Sequence, residues 1–230
     1  MRGPKFAALI GALAILLVTV GCTSLVTGTA VARKQAVGAG VAQTDDGYGV
    51  TLGATQDGPG AAIDLFIEPQ CPHCGHFVAE YGDAIAKYLA SDRLSITIRP
   101  LTFLDNGSDD YSARATNAIF LVAADDKATP ALVWSFIQGL YAKLLSTTSL
   151  ADDDGIAQVA NDVGVSADTV NRIAAAEPQV DANDVNDVND GNLALMDEYG
   201  VQPATPAVYD TVDKVEVDSS NPKWLDELVK

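Results

Sequence analysis

The stretch Cys71-Pro72-His73-Cys74 constrains this chain more than any other. It lies between an apolar run, Ala61-Ala62-Ile63-Asp64-Leu65-Phe66-Ile67, and an apolar-periodic segment from Phe77 to Leu89. The run, interrupted by Asp64 and closed by Glu68-Pro69-Gln70, reads as a buried strand. Pro72 suits the first turn of a helix, where its missing N–H would have no intrahelical partner. Phe77, Tyr81, Ile85, Tyr88 and Leu89 then share one helical face, which predicts a helix over Pro72–Ala90. A C-x-x-C at a strand-to-helix junction is a setting for thiol–disulfide chemistry.

The compartment follows from the N-terminus. Arg2 and Lys5 precede an uncharged stretch from Phe6, so residues 1–21 read as an export signal outside the fold. Val20-Gly21-Cys22 resembles the end of a bacterial lipoprotein signal, in which the cysteine is acylated, although Thr19 stands where Leu is usual. The competing reading is an uncleaved signal anchor over 6–32, since no charge occurs from Phe6 to Ala32 and about 20 apolar residues span a bilayer. Either way the domain is expected outside the cytoplasm, tethered to the membrane, with 22–45 as a flexible spacer rich in small residues. With Cys22 lipidated, only Cys71 and Cys74 of the chain's 3 cysteines remain, in an oxidising compartment. A structural bridge across so short a loop would constrain the unfolded chain little, so the pair reads as reactive.

A 48% hydrophobic content in 230 residues is ample for a core, and a net charge of −17 argues against nucleic acid as a partner. Tyr48–Leu52 reads as a first strand after the flexible segment, Gln56–Gly60 as a turn, and Leu94–Leu101 as a strand after the Cys-bearing helix. Residues 46–108 thus form one α/β part. From 109 to 199 almost no strand pattern occurs. Helices are expected over Tyr111–Ala124, Pro130–Leu145, Asp153–Val163 and Ala167–Ala176, then along Val185, Val188, Asn192, Leu195 and Tyr199 up to Gly200. Residues 200–230 return to α/β: a strand near Val208, another over Lys214–Val217 and a helix over Pro222–Val229. This order implies a four- or five-stranded α/β sheet with an inserted helical subdomain.

At the motif, Cys71 at a helix N-terminus gains unpaired backbone N–H groups and the positive end of the dipole, and a protonated His73 would add to both. Thiolates so placed reach pKa values of roughly 3.5–7.5, and a stabilised thiolate makes the disulfide form the stronger oxidant. Cys71 is expected to attack and to carry the mixed disulfide, with Cys74 as the resolving thiol.

Cys71-Pro72-His73-Cys74, with Thr205-Pro206 about 130 residues later and just before a strand, resembles the DsbA-like branch of the thioredoxin superfamily over Ala61–Lys230. The resemblance implies a thioredoxin-like fold, a redox-active disulfide in place of any cofactor, a cis Thr205–Pro206 bond facing the thiols, and extended substrate segments bound along that loop. It also implies reduced exported proteins as substrates and a quinone-linked membrane thiol oxidase as reoxidant. No dimerisation segment is evident, so a monomer is expected, which leans against an isomerase. Two departures stand out. Relatives often carry a buried acid six residues before the first cysteine, where this chain has Leu65; Asp64 should face the other side by strand alternation, leaving Glu68 as the other nearby acid. Pro203-Ala204 also replaces the usual single small residue before Thr-Pro.

Three alternatives compete with an oxidase. A disulfide reductase or isomerase would share the motif. Cys71, His73, Cys74 and His76 could ligate zinc or copper, although structural zinc ligands usually come as two separated pairs; haem attachment would need His where Gly75 stands. A binding or chaperone-like module could retain the pair without activity. The Asn-Asp-Val repeats of Asp181–Asn192 fail the calcium-loop pattern, because Val188 falls where Asp or Asn is needed, and read as a polar helix face. Trp134, Phe136, Tyr141 and Trp224 read as core or groove lining.

Overall fold

The computed structural model of this protein describes residues 40–53, 60–107, 109–180 and 182–230. The export segment in either reading, Cys22, most of the 22–45 spacer, residues 56–59 of the expected turn and Asp181 lie outside the described residues. Among those described are six strands and seven helices. β1 (Val41–Gln43), β2 (Val50–Leu52), β3 (Ala61–Ile67), β4 (Leu94–Pro100), β5 (Ala207–Asp210) and β6 (Val215–Val217) form one sheet in the order β1-β2-β4-β3-β5-β6. Only β3 and β4 pair in parallel, Ile63 opposite Ile96 and Leu65 opposite Ile98, because helix α1 (Pro72–Ala90) returns the chain to the same end of the sheet.

β1 corrects the spacer. Val41 is buried and pairs with Leu52, and Gly53 N–H donates to Gly40 O at 2.7 Å, so the last part of 22–45 is a sheet edge. Three residues are too few for alternation to show, and the turn that returns to β2 is held by polar groups. Asp46 accepts from Tyr48 N–H at 2.8 Å, and Thr44 Oγ1 accepts from Gly49 N–H at 2.9 Å.

Alternation along β3 separates two cores. Ile63, Leu65 and Ile67 join Phe77 and Ile85 of α1 and Val133, Trp134, Phe136 and Ile137 of α3 (Pro130–Ser146). Phe66 points the other way, to Leu101, Met196, Val201, Ala207 and Tyr209. Asp64 faces that second side as its position requires: it accepts from Tyr199 Oη at 3.1 Å and lies 3.4 Å from Arg99 Nε.

Between β4 and β5 run α2 (Tyr111–Ala123), α3, α4 (Asp153–Asp162), α5 (Ala167–Ala174) and α6 (Ala182–Tyr199). Their starts follow the expected signals: Thr129, Asp152 and Ser166 cap α3, α4 and α5 by accepting from Leu132, Gly155 and Thr169 N–H. In α6, Val185 and Val188 are buried in the first core, whereas Met196 enters the second, so this helix passes from the helical cluster onto the far face of the sheet. The chain closes with α7 (Trp224–Leu228), where Trp224 stacks on Phe77 of α1 with ring centroids 5.8 Å apart. Trp134, Phe136, Tyr141 and Trp224 are all buried side chains of the first core. Among the described residues, no helix is long and apolar enough to cross a membrane.

Candidate active site

The site forms where β3 ends and α1 begins. Cys71 is the residue capping α1, in extended backbone conformation, and its carbonyl accepts the first helical bond from Gly75 N–H at 3.1 Å. Pro72 fills the first helical position, as its chemistry favours. Cys71 is 7% exposed and Cys74, one turn in, is fully buried; the two thiols are not bridged to each other. Across from them the Thr205–Pro206 peptide bond is cis, and the Cys71 thiol donates to Thr205 O at 3.4 Å.

This arrangement separates the two thiols chemically. A hydrogen bond from the Cys74 side chain, offset by burial and followed by bonds from the Thr205 side chain and the backbone of Cys74 and His73, lowers Cys71 to about 5. Cys74 moves the opposite way, far above the ordinary thiol range, because burial and its bond to Cys71 both penalise its anion. Near neutral pH Cys71 is therefore a thiolate and Cys74 a thiol. His73 acts on Cys71 through its backbone N–H, whereas the expectation had placed the effect in its imidazole, which is exposed.

Of the two acids near the motif, Asp64 and Glu68, the structure places Glu68 beside the thiols. Leu65 does occupy the position six residues before Cys71, packed in the first core. Glu68, however, is fully buried beside the thiols. Strict alternation would put it on the Asp64 side, but β3 ends at Ile67 and the turn at 69–70 redirects the chain. Its carboxylate accepts from Ser112 Oγ and from Gln70 N–H at 2.7 Å, and its carbonyl accepts from Cys71 N–H at 2.9 Å. Burial, only partly offset by those bonds and reinforced by the negative charges of Asp105 and Cys71, raises Glu68 to about 7.

The helical segment and the loop that leads into it supply the remaining groups, and sequence reading missed their part in the site. The Tyr141 hydroxyl of α3 donates to Glu68 O at 3.1 Å and lies within hydrogen-bonding reach of Cys74. Asp105 accepts from Ser112 and Ala113 N–H, both at 2.8 Å, and from Gln70 Nε2 at 2.6 Å, tying the start of α2 to the residue before Cys71. Leu145, 40% exposed, lies over Gly75, where a Cβ would come within 3.1 Å of it. The one sequence signal for these contacts was the aromatic and apolar face of Pro130–Leu145. As for metal, no three His, Cys, Asp or Glu side chains converge as ligands among the described residues.

Residues 50–230 match the family model Thioredoxin_4, described as thioredoxin. The chain belongs to this thioredoxin family. A curated relative of this thioredoxin-family chain is the serine/threonine-protein kinase PknE of Mycobacterium tuberculosis, 30% identical over 173 residues, which are 73% of this chain and 29% of that protein. The chain thus spans only 29% of the length of the curated relatives it matches. Among solved structures, the thiol-disulfide oxidoreductase MdbA of Corynebacterium matruchotii superposes with a TM-score of 0.68 at 22% identity, covering 82% of this chain and 92% of that one. DsbA of Mycobacterium tuberculosis, in its reduced form, gives 0.57 at 22% identity over 76% and 87%. The fold of this thioredoxin-family protein is that of the DsbA-like oxidoreductases.

Proposed function

We propose that the protein is an extracytoplasmic thiol–disulfide oxidoreductase that oxidises reduced exported proteins through the Cys71–Cys74 pair. A client thiolate attacks Cys71 Sγ of the bridged form, a client–Cys71 bond forms, and the electron pair of the broken bond passes to Cys74. A second client thiolate then attacks the client sulfur of the mixed disulfide and releases Cys71 as thiolate. The client is oxidised by two electrons and the enzyme pair is reduced by two. The observation that carries the reading is geometric: Cys71 caps α1 with its thiol 3.4 Å from Thr205 O beside the cis Thr205–Pro206 bond, and Cys74 is buried one turn in. Hydrogen bonds in that setting lower Cys71 to about 5, which favours the reduced pair and makes the bridged form a strong oxidant. Half-exposed Phe103 and Leu104, on the loop that Asp105 ties to Gln70, and Leu145 over Gly75 offer apolar surface for an unfolded client.

In this reading the domain works as a monomer, held at the membrane by lipid on Cys22 or by a signal anchor over 6–32, and is reoxidised by a quinone-linked membrane thiol oxidase. The reduction potential of the Cys71–Cys74 couple tests the direction. A value near about −120 mV is expected; one near about −270 mV would place the couple with the reductants and overturn it.

A further inference from the structure

Two asparagines of α6 have a place in the fold that the thiol chemistry does not use. We propose that Asn189 and Asn192 are positioning residues for client binding: they hold the segment from Pro100 to Asp105 from behind, so that Phe103 and Leu104 stand out as a rigid apolar docking surface for unfolded clients. The inference rests on the oxidoreductase reading and adds to it a pair of residues outside the redox motif.

Along the chain the Asn-Asp-Val repeats read as one polar helix face, and in the fold Asp184, Asp187 and Asp190 are exposed. Asn189 and Asn192, three residues apart and so neighbours on the helix surface, turn towards the sheet instead. Asn189 Oδ1 accepts from Thr102 N–H at 2.9 Å, while its Nδ2 donates to Asp190 Oδ1 at 3.2 Å. Asn192 is fully buried, and its Nδ2 donates to Pro100 O at 2.8 Å and to Tyr48 O at 2.9 Å. Its Oδ1 has no hydrogen-bond partner among the described residues. A buried amide with an unpaired oxygen is unfavourable in a core, so the two donor bonds are the reason for its presence there.

The segment these bonds hold leads from the sheet to the redox loop. The pairing of β4 ends where Leu101 N–H donates to Ile67 O at 2.8 Å. Thr102, next in the chain and buried, has its N–H satisfied by Asn189 instead. Asp105 N–H then donates to Thr102 O at 3.1 Å, and the Asp105 carboxylate ties the far end of the turn to Ser112 and Ala113 N–H and to Gln70 Nε2. With both flanks fixed, the two residues between them are turned outward: Leu101 is fully buried, whereas Phe103 and Leu104 are 40% and 39% exposed. Single exposed apolar side chains are ordinary, but two adjacent ones on a loop bonded to the residue before Cys71 mark a contact surface. A loop already held in one conformation meets an apolar client segment without first losing its own freedom. Loosening it therefore weakens client binding and leaves the chemistry of the thiols in place.

The test mixes the bridged full chain with increasing concentrations of reduced, denatured ribonuclease A and follows loss of the Cys71–Cys74 bridge, which gives a limiting rate and a half-saturating concentration. Reduced glutathione serves as a thiol too small to reach the apolar surface. Asn189→Ala should raise the half-saturating concentration about fivefold or more, with the limiting rate and the glutathione rate each within about twofold, and Asn192→Ala should act in the same direction. Asn189→Asp still offers an oxygen to Thr102 N–H and should restore the unaltered value. Phe103→Ser combined with Leu104→Ser should raise the half-saturating concentration at least as much, and in that background Asn189→Ala should add little, because both changes act on one surface. A half-saturating concentration within about twofold for Asn189→Ala overturns the inference, and so does a parallel fall in the glutathione rate, which would make the residue merely structural. Should Asn189→Ala fail to fold, the Phe103 and Leu104 variant decides, and an unchanged half-saturating concentration there overturns the assignment. If the unaltered bridged protein reacts with neither ribonuclease A nor glutathione, the oxidoreductase reading falls and takes the inference with it; reaction indifferent to these side chains removes the inference alone.

Discussion

Single side chains around Cys71 rank in an order that general expectation for a helix N-terminus would not give. The largest contribution to its thiolate is the hydrogen bond from Cys74, ahead of Thr205 and of the backbone of Cys74 and His73. Three substitutions separate these causes when the Cys71 thiolate is titrated by its ultraviolet absorbance. Cys74→Ala should raise the midpoint furthest above about 5, Thr205→Val should raise it less, and His73→Ala should leave it nearly in place because the backbone N–H survives. A midpoint that followed His73 instead would assign the effect to the imidazole. Cys74 also decides the fate of the mixed disulfide: Cys74→Ser should accumulate a client or glutathione adduct on Cys71, and mass mapping of the adduct to any other residue would contradict the roles given to the pair.

At the scale of elements, the stretches whose period was long were legible in the sequence, and those whose meaning lies in a distant partner were not. The helix over Pro72–Ala90 was readable from its Pro start and its single apolar face, and the structure places α1 over those same residues. β1 was not, because three residues show no alternation and its pairing with Leu52 is a tertiary fact. Glu68 was visible as a nearby acid, but its direction depends on the turn that breaks the alternation of β3. Ser112 and Tyr141 carry no motif; they become site residues only because α2 and α3 pack against the Cys-bearing loop. Asn192 and Gly191 of α6 are similar. Read along the chain they end a polar repeat, whereas in the fold Asn192 Nδ2 donates to Tyr48 O at 2.9 Å and Pro100 O at 2.8 Å. A Cβ on Gly191 would overlap Cδ2 and Cε2 of the Tyr48 ring. The absent side chain is thus what lets α6 approach the β1–β2 turn. Gly191→Ala, neutral or better for helix propensity alone, should instead cost about 1–3 kcal/mol in denaturant unfolding. An unchanged or higher midpoint would show that the turn, not the helix, yields at this contact.

For the molecule as a whole, the perturbed thiol couples redox state to stability. Cys71 titrates near the ordinary thiol value of 9.0 when the chain is unfolded and at about 5 when it is folded and reduced. A lowered folded value stabilises the native state at pH above the unfolded value, and that stabilisation is lost as pH falls through the folded one. Reduced protein should therefore gain stability between pH 5 and pH 8, by an amount on the order of a few kcal/mol. Bridged protein has no Cys71 thiol and lacks this gain. Glu68 acts with the opposite sign: its folded value of about 7 lies above 4.5, so its contribution is present at low pH and lost through 7. Because Glu68 is present in both forms, its effect largely cancels when they are compared. Cys74, whose folded value is raised, begins to oppose the reduced form only near and above its unfolded value, outside this window. Thermal unfolding of the reduced and bridged forms at pH 5, 6, 7 and 8 should thus give a difference in Tm that moves steadily in favour of the reduced form. A difference that stays flat over that range would mean that folding does not lower Cys71, and the oxidising direction proposed for the pair would lose its physical basis.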